Sequence, residues 1–323
     1  MLPAARIPTC ALGPIARLLG WTLAALLPVA AWAGDAAPET VRDATSATVR
    51  VDGRPLVQYR FAESPNKPYV AELFSPAGVQ VLRDAPSDHL HHHGLMFAVA
   101  VDKVDFWSET PQCGKQRHRD GAGPEVVARD GVDWTVGSHR IDWMSPDDKT
   151  LLLCETRTLE IARLKTPSPA TVVVWKTQLA APPGKASVTL SGSTYFGLGA
   201  RFVKAMDGGG DFLNADGKKG VDGTNAVRSA WCAYSARADG KPVTVAMFDD
   251  PTNPRFPATW FTMTSGFAYL AATLDLSKQP LVVAAEKPLT LRYVTALYDG
   301  PMDAKKLDAL AALAALAKRL APK

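Results

Sequence analysis

Apolar and polar residues alternate with a period of two along most of this chain, the spacing of strands that bury one face. Thr48-Val49-Arg50-Val51 leads into Asp52-Gly53, a turn pair, and then into Leu56-Val57-Gln58-Tyr59-Arg60-Phe61, which predicts a hairpin. Segments 69–74 and 79–82 flank Ser75-Pro76-Ala77-Gly78 in the same way. Further strands are predicted at 95–101, 125–128, 134–136, 139–143, 151–161, 170–179, 187–190, 231–234, 243–248, 259–263 and 289–294. Arg129-Asp130-Gly131, Ser145-Pro146-Asp147-Asp148 and Pro182-Pro183-Gly184 supply turns between them. Many short strands with no amphipathic helix between them predict an all-β fold, a large two-sheet sandwich. Only 303–320 has helical periodicity, with Leu307, Leu310, Leu313, Ala314 and Leu320 in one stripe and Lys305, Lys306, Lys318 and Arg319 off it. That predicts a closing C-terminal helix. The glycine-rich stretch 206–220 reads as a long exposed loop.

The first residues break the pattern. Arg6 and Arg17 precede or flank a short apolar core, Leu18 to Leu27, and Ala31-Trp32-Ala33 is a small-x-small cleavage site. Residues 1–33 therefore read as a secretory signal. Residues 34–46 read as a disordered lead-in, and 47–323 as a single β-sandwich domain that ends in the helix. No later stretch approaches about 18 continuous apolar residues, so the mature protein is expected to carry no transmembrane segment and to be periplasmic or secreted. Arg6 and Arg17 account for half of the formal charge of +4, and no basic cluster remains of the kind nucleic acid requires. Cys113, Cys154 and Cys232 survive processing, enough for one disulfide and one thiol, with no C-x-x-C unit.

Candidate chemistry concentrates in one place. Four of the six histidines, His89, His91, His92 and His93, fall between Asp88 and Gly94. If a strand begins at His89, then His89, His91 and His93 share a face, roughly 7 Å apart, and His92 points the other way. Such a set would suit a divalent metal (Zn, Mn, Cu or Fe) on His89, His91 and His93, or on His91 and His93 with Asp88 or His118. No cofactor is certain. The other reading is direct acid–base catalysis by His89, His91, His92 and His118 on a sugar hydroxyl or ring oxygen. A group of opposite role would come from Glu109, Asp120, Glu155, Asp211 or Asp249. A bland reading, a solvated loop edge, stands beside both.

Substrate-binding candidates surround this run. Trp107 offers a face on which a pyranose ring stacks. Arg83, Asp88 and Arg201 would orient hydroxyls or a carboxylate; Arg201 follows Gly197-Leu198-Gly199-Ala200, where small residues allow close approach of a ligand. The proline-rich loop 249–257 carries Asn253 and Arg255 as a wall of the site. There is no G-x-S-x-G elbow, P-loop or G-x-G-x-x-G, so triad-hydrolase and nucleotide readings have no motif behind them.

Taken in order, Ser75-Pro76-Ala77-Gly78 through Arg83-Asp84, Asp88-His89-x-His91-His92-x-Gly94-Leu95-x-Phe97, Phe106-Trp107, Gly197-Leu198-Gly199-x-Arg201, Asn253-Pro254-Arg255-x-Pro257 and Leu289-x-Leu291-Arg292-Tyr293 resemble a bacterial family that carries the label methane oxygenase PmoA. The resemblance runs from about residue 50 to 300, and the histidine motif is its most specific part. The membrane methane monooxygenase subunit of that name is a multi-span helical protein, whereas this chain reads as β throughout. The family is similar instead to sugar-handling β-supersandwich proteins of the galactose mutarotase kind, and its members occur beside sugar-oxidising dehydrogenases. This chain departs from the family at His93, where Arg is common, and at Phe256, where His is common. The expectation is an exported carbohydrate-active protein with a small-molecule carbohydrate partner, acting on a sugar or glycoside by hydrolysis, elimination or epimerisation. The alternatives are a copper- or iron-dependent oxidoreductase on the same histidines and a non-catalytic sugar-binding module.

Overall fold

Alternating inward side chains build two antiparallel sheets that share one apolar layer. In the computed structural model, which describes residues 36–62 and 66–319, the first sheet runs Glu39–Arg42, Ser46–Val51, Arg54–Arg60, Tyr69–Leu73, Leu95–Ala98, Gly197–Arg201, Tyr269–Thr273, Thr259–Met263. The second runs Asp211–Asn214, Trp231–Ala238, Lys241–Asp249, Leu289–Asp299, Ala170–Ala180, Leu151–Leu164, Val132–Met144, Lys115–Arg129. A small sheet joins Leu281–Ala284, Ser187–Ser191, Ala100–Val101 and Val104–Asp105. The chain is thus all-β with a C-terminal helix. The expected signal segment 1–33 and Leu320 of the expected helix lie outside the described residues.

The shared layer takes Phe97 from the first sheet and Trp143 from the second, edge to face with centroids 6.2 Å apart. Strand Leu151–Leu164 shows how the alternation works, since Leu153, Glu155, Arg157, Leu159 and Ile161 all turn inward. Two of these are charged. Arg157 and Glu155 pair at 2.8 Å with both side chains fully buried. Trp143 Nε1 and the Thr177 hydroxyl also donate to Glu155, and Arg157 donates to Tyr59, Gln116 and the Pro68 carbonyl. With its partners satisfied, this pair avoids the penalty of an isolated buried charge. On the outer face of the second sheet, helix Ala304–Arg319 lays Leu307 and Leu310 against Trp231, Phe248 and Val294. Each such leucine contributes about 1.5–3 kcal/mol through burial.

Several expectations are corrected. Within the lead-in, Glu39–Arg42 is an edge strand paired with Ser46–Val51, because the Asp43 carboxylate accepts the Thr45 and Ser46 amides and closes a turn between them. Strands 134–136 and 139–143 are one strand, Val132–Met144, and 125–128 is the end of Lys115–Arg129. The glycine-rich stretch contains strand Asp211–Asn214 and leads into a helical turn, Gly220–Thr224. Cys113, Cys154 and Cys232 are all free thiols. No helix among the described residues is long and apolar enough to cross a membrane.

Candidate functional site

The histidine run is a tight arm rather than a strand. Leu82 bridges Phe202, Asp84 bridges His93, and the Arg83 amide donates to the Arg201 carbonyl over 2.9 Å. These bonds fasten the arm beside Gly197–Arg201. Its tip folds through two turns, with the His89 amide on the Pro86 carbonyl and the His92 amide on the His89 carbonyl. The strand begins only at Leu95. Gly94 makes the transition at φ +42°, against the Val70 carbonyl, where a Cβ would overlap backbone.

The turn overrides the expected alternation and gathers His89, His91 and His92. The rings of His89 and His92 stack at 4.7 Å, and His91 meets His92 edge-on at 4.5 Å and His89 at 5.7 Å. Arg201, buried on the neighbouring strand, donates from Nη1 to His92 Nδ1 over 3.3 Å and from Nη2 to Asp88 Oδ2 over 2.7 Å. Its guanidinium lies 3.7 Å from the centroid of the Phe267 ring. The Arg201 hydrogen bond holds the Asp88 carboxyl well below the usual carboxylate range. Burial, together with His91, His89 and Arg201, pushes the His92 pKa down to about 2. His91 is half-buried, and burial and then the Lys67 charge hold its pKa below the ordinary value. His91 and His92 are therefore neutral at pH 7.

His93 faces elsewhere. Its Nδ1 donates to Asp84 Oδ1 over 2.6 Å and its Nε2 to Glu109 Oε1 over 3.0 Å, with Tyr69 stacked on the ring at 4.6 Å. Both acceptors are carboxylates, so both nitrogens carry protons. Burial opposes that charge, yet the two carboxylates outweigh it and raise the His93 pKa. Lys67, fully buried, donates to Glu109 over 2.7 Å and to the Trp107 carbonyl over 2.9 Å, and reaches the His91 carbonyl at 3.4 Å. The metal set His89, His91, His93 is thus not assembled, because both His93 nitrogens are protonated and donate to carboxylates, which leaves no lone pair for a metal. Among the described residues no three His, Cys, Asp or Glu side chains are grouped to hold a metal.

Four side chains around His92 each bury a polar atom that has no hydrogen-bond partner: His89 Nδ1, Trp107 Nε1, Arg201 Nε and the Tyr269 hydroxyl. His89 Nδ1 is 3.2 Å from Asp88 Oδ2, but off the line of a hydrogen bond. Tyr269 is the cross-strand partner of Arg201, its ring centroid 5.2 Å from that of His92. Gly199 makes room for that ring, since a Cβ there would overlap the tyrosine hydroxyl. The small residue serves a neighbouring side chain rather than an approaching ligand.

Other expected site residues lie apart or serve the fold. His118 pairs with His139, Nε2 to Nδ1 at 3.1 Å, and both rings contact Phe61 on the inner side of the second sheet's edge. Arg83 enters the arm through its backbone. Asn253 bonds Asp249 and both backbone groups of Arg292, stapling its loop, because its amide matches that donor and acceptor. Arg255 donates to the carbonyls of Leu274, Gln279 and Pro280, tying down a second loop. Trp107 is at the site but stacks on Phe196 at 5.2 Å and 11°, buried rather than open as a platform. Of the proposed second groups only Glu109 comes near, through His93; Glu155 belongs to the core pair and Asp120 to Arg140. Lys67, Phe267 and Tyr269 had no signal beyond a lone lysine before Pro68 and aromatics that read as core.

Comparison with known proteins adds a family. This chain belongs to a family of unknown function, DUF6807. The match covers residues 46–312 and does not carry the methane-oxygenase label. No curated protein matches this DUF6807 member. Among solved structures it is similar to the GH36 alpha-galactosidase AgaA from Geobacillus stearothermophilus, with TM-score 0.39 and 8% identity over 81% of this chain and 41% of that one. It is also similar to a putative mutarotase, YeaD, from Salmonella typhimurium, with TM-score 0.33 and 10% identity over 81% of this chain and 94% of that one. The DUF6807 chain spans less than half the length of the galactosidase.

Proposed function

We propose that the arm 88–93, with Arg201, Phe267, Tyr269 and Trp107, binds a small hydroxyl-rich molecule of the carbohydrate class and performs acid–base chemistry on it. The observation that carries this is the set of four buried polar atoms without partners around His92. Leaving one such atom unpaired costs about 1–3 kcal/mol, and a ligand rich in donors and acceptors recovers that cost. Phe267, half-buried beside these polar atoms, supplies an aromatic ring suited to the apolar face of a sugar.

The roles follow from the protonation states. His91, neutral and half-exposed, has a lone pair able to take a proton from the ligand and return it. Because Arg201 donates to Nδ1 of His92, the His92 proton sits on Nε2, which can donate to a ligand oxygen. Asp88 stays ionised and holds Arg201 in place. The signal-like start of the chain supports a site of action outside the cytoplasm.

The test is a panel of glycosides and oxidised glycosides offered to the protein and to His91→Ala. The expected result is saturable turnover of at least one class, reduced roughly 100-fold or more in the variant while affinity is retained. Affinity without turnover would make the protein a binding module. No interaction with any member would refute the reading.

A further inference from the structure

Away from the histidine arm, the open edge of the sandwich holds a cleft of about 30 Å³. Its origin is a missing side chain. Thr135, Gly137 and His139 occupy successive inward positions on Val132–Met144, opposite Ile161, Leu159 and Arg157 of the neighbouring strand. Gly137 leaves the space between the other two unfilled. Thr135 is 2% exposed and its hydroxyl has no hydrogen-bond partner, although it lines the cleft. His139 Nδ1 is taken by His118, which leaves Nε2 for the gap; a Cβ on Gly137 would sit 3.7 Å from it. At the rim, Arg42 donates to the Gly123 carbonyl over 3.1 Å and lies over the Phe61 ring at 5.0 Å, so the guanidinium is held at the mouth. Among the described residues no Asp or Glu lines the cleft, and Val49, Leu159 and Ile161 supply apolar wall.

Space of this size holds about two waters or one planar three-atom group. In the tautomer in which His118 Nε2 donates to His139 Nδ1, the cleft presents one cation, an imidazole N–H and a hydroxyl with no opposing acid among the described residues. That set selects a negative head, and the walls select a short carbon chain. We propose that this cleft binds the carboxylate head of a small organic acid, received by Arg42, Thr135 Oγ1 and His139 Nε2. The site is separate from the histidine arm and holds whether or not the carbohydrate reading does.

The probe is sodium propionate, titrated into the whole protein while the Thr135, Gly137 and His139 signals are followed by NMR, with sodium chloride and propionamide as controls. Saturable shifts are expected with propionate alone. Gly137→Ala fills the gap at ordinary contact distance, and Thr135→Val removes the hydroxyl at equal volume. Each should weaken binding about tenfold or more without lowering the unfolding midpoint, and His91→Ala should leave it unchanged. Equal shifts with chloride would mean an adventitious ion only. That outcome, the absence of saturable shifts, or undiminished affinity in both cleft variants would each overturn the proposal.

Discussion

Arg201 Nη1 lies 3.3 Å from His92 Nδ1 while Nη2 of the same guanidinium holds Asp88 at 2.7 Å. One buried cation therefore fixes a histidine tautomer and the ionisation of a carboxylate at the tip of the arm. In Arg201→Gln the Asp88 carboxyl should lose its main hydrogen bond and titrate nearer the ordinary range. Carbon-13 NMR of the side-chain carboxyl reads this directly, and an Asp88 titration identical to that of the unmodified protein would contradict it.

Tyr269→Phe removes a buried hydroxyl that has no partner. Unfolding free energy should stay constant or rise by up to about 1 kcal/mol, while ligand affinity at the arm falls. Chemical denaturation and binding measured on the same preparation give both numbers. A stability loss of about 2 kcal/mol would show that the hydroxyl supports the fold instead.

The His93 network makes stability depend on pH with a definite sign. The His93 pKa is raised on folding, so its contribution is complete below the ordinary histidine value, about 6.5, and is lost as pH rises through the folded value. Burial acts to raise the pKa values of Asp84 and Glu109, but the combined hydrogen bonds and charges of His93, with Tyr69 and Arg60 at Asp84 and Lys67 at Glu109, outweigh it and lower both. Their contributions are present above about 4.5 and are lost as pH falls through the folded values. The stability difference between the protein and His93→Gln should therefore peak between about pH 4.5 and 6.5. Denaturation at a series of pH values tests it; a difference that grows above pH 7 would be inconsistent.

In the core, Arg157→Met strands the Glu155 carboxylate, which has no exposure to water. The expected loss is about 3–5 kcal/mol, and adding Glu155→Gln should recover part of it. A double-mutant cycle in urea measures the coupling, and additive losses would contradict it.

The period-two pattern was enough to read many strands of the sheets, because burial on one face of a strand leaves its mark at every second residue, and a helical stripe gave the closing helix. Central strands Gly197–Arg201 and Tyr269–Thr273 are buried on both faces and carry no such alternation. The histidine cluster was legible as a local excess, but its arrangement was not. Alternation predicted His93 beside His89 and His91, whereas the turn that ends at His92 swings His93 toward Asp84 and Glu109. Partners distant in the chain, such as Lys67 and Tyr269, leave no periodic trace, because a single buried lysine or an aromatic in a strand looks the same whether it holds a site or fills a core. Asn253 and Arg255 mislead for the converse reason: polar residues in a rigid loop serve backbone carbonyls as readily as ligands.

The most direct measurement of the central claim is nitrogen-15 NMR of the six histidine rings during titration with the glycoside panel. The account predicts that signals of His89, His91 and His92 shift saturably with at least one carbohydrate, while those of His118 and His139, paired at the sandwich edge, do not. If no carbohydrate moves the three arm signals, or if His118 and His139 move with them equally, the arm is not the carbohydrate site.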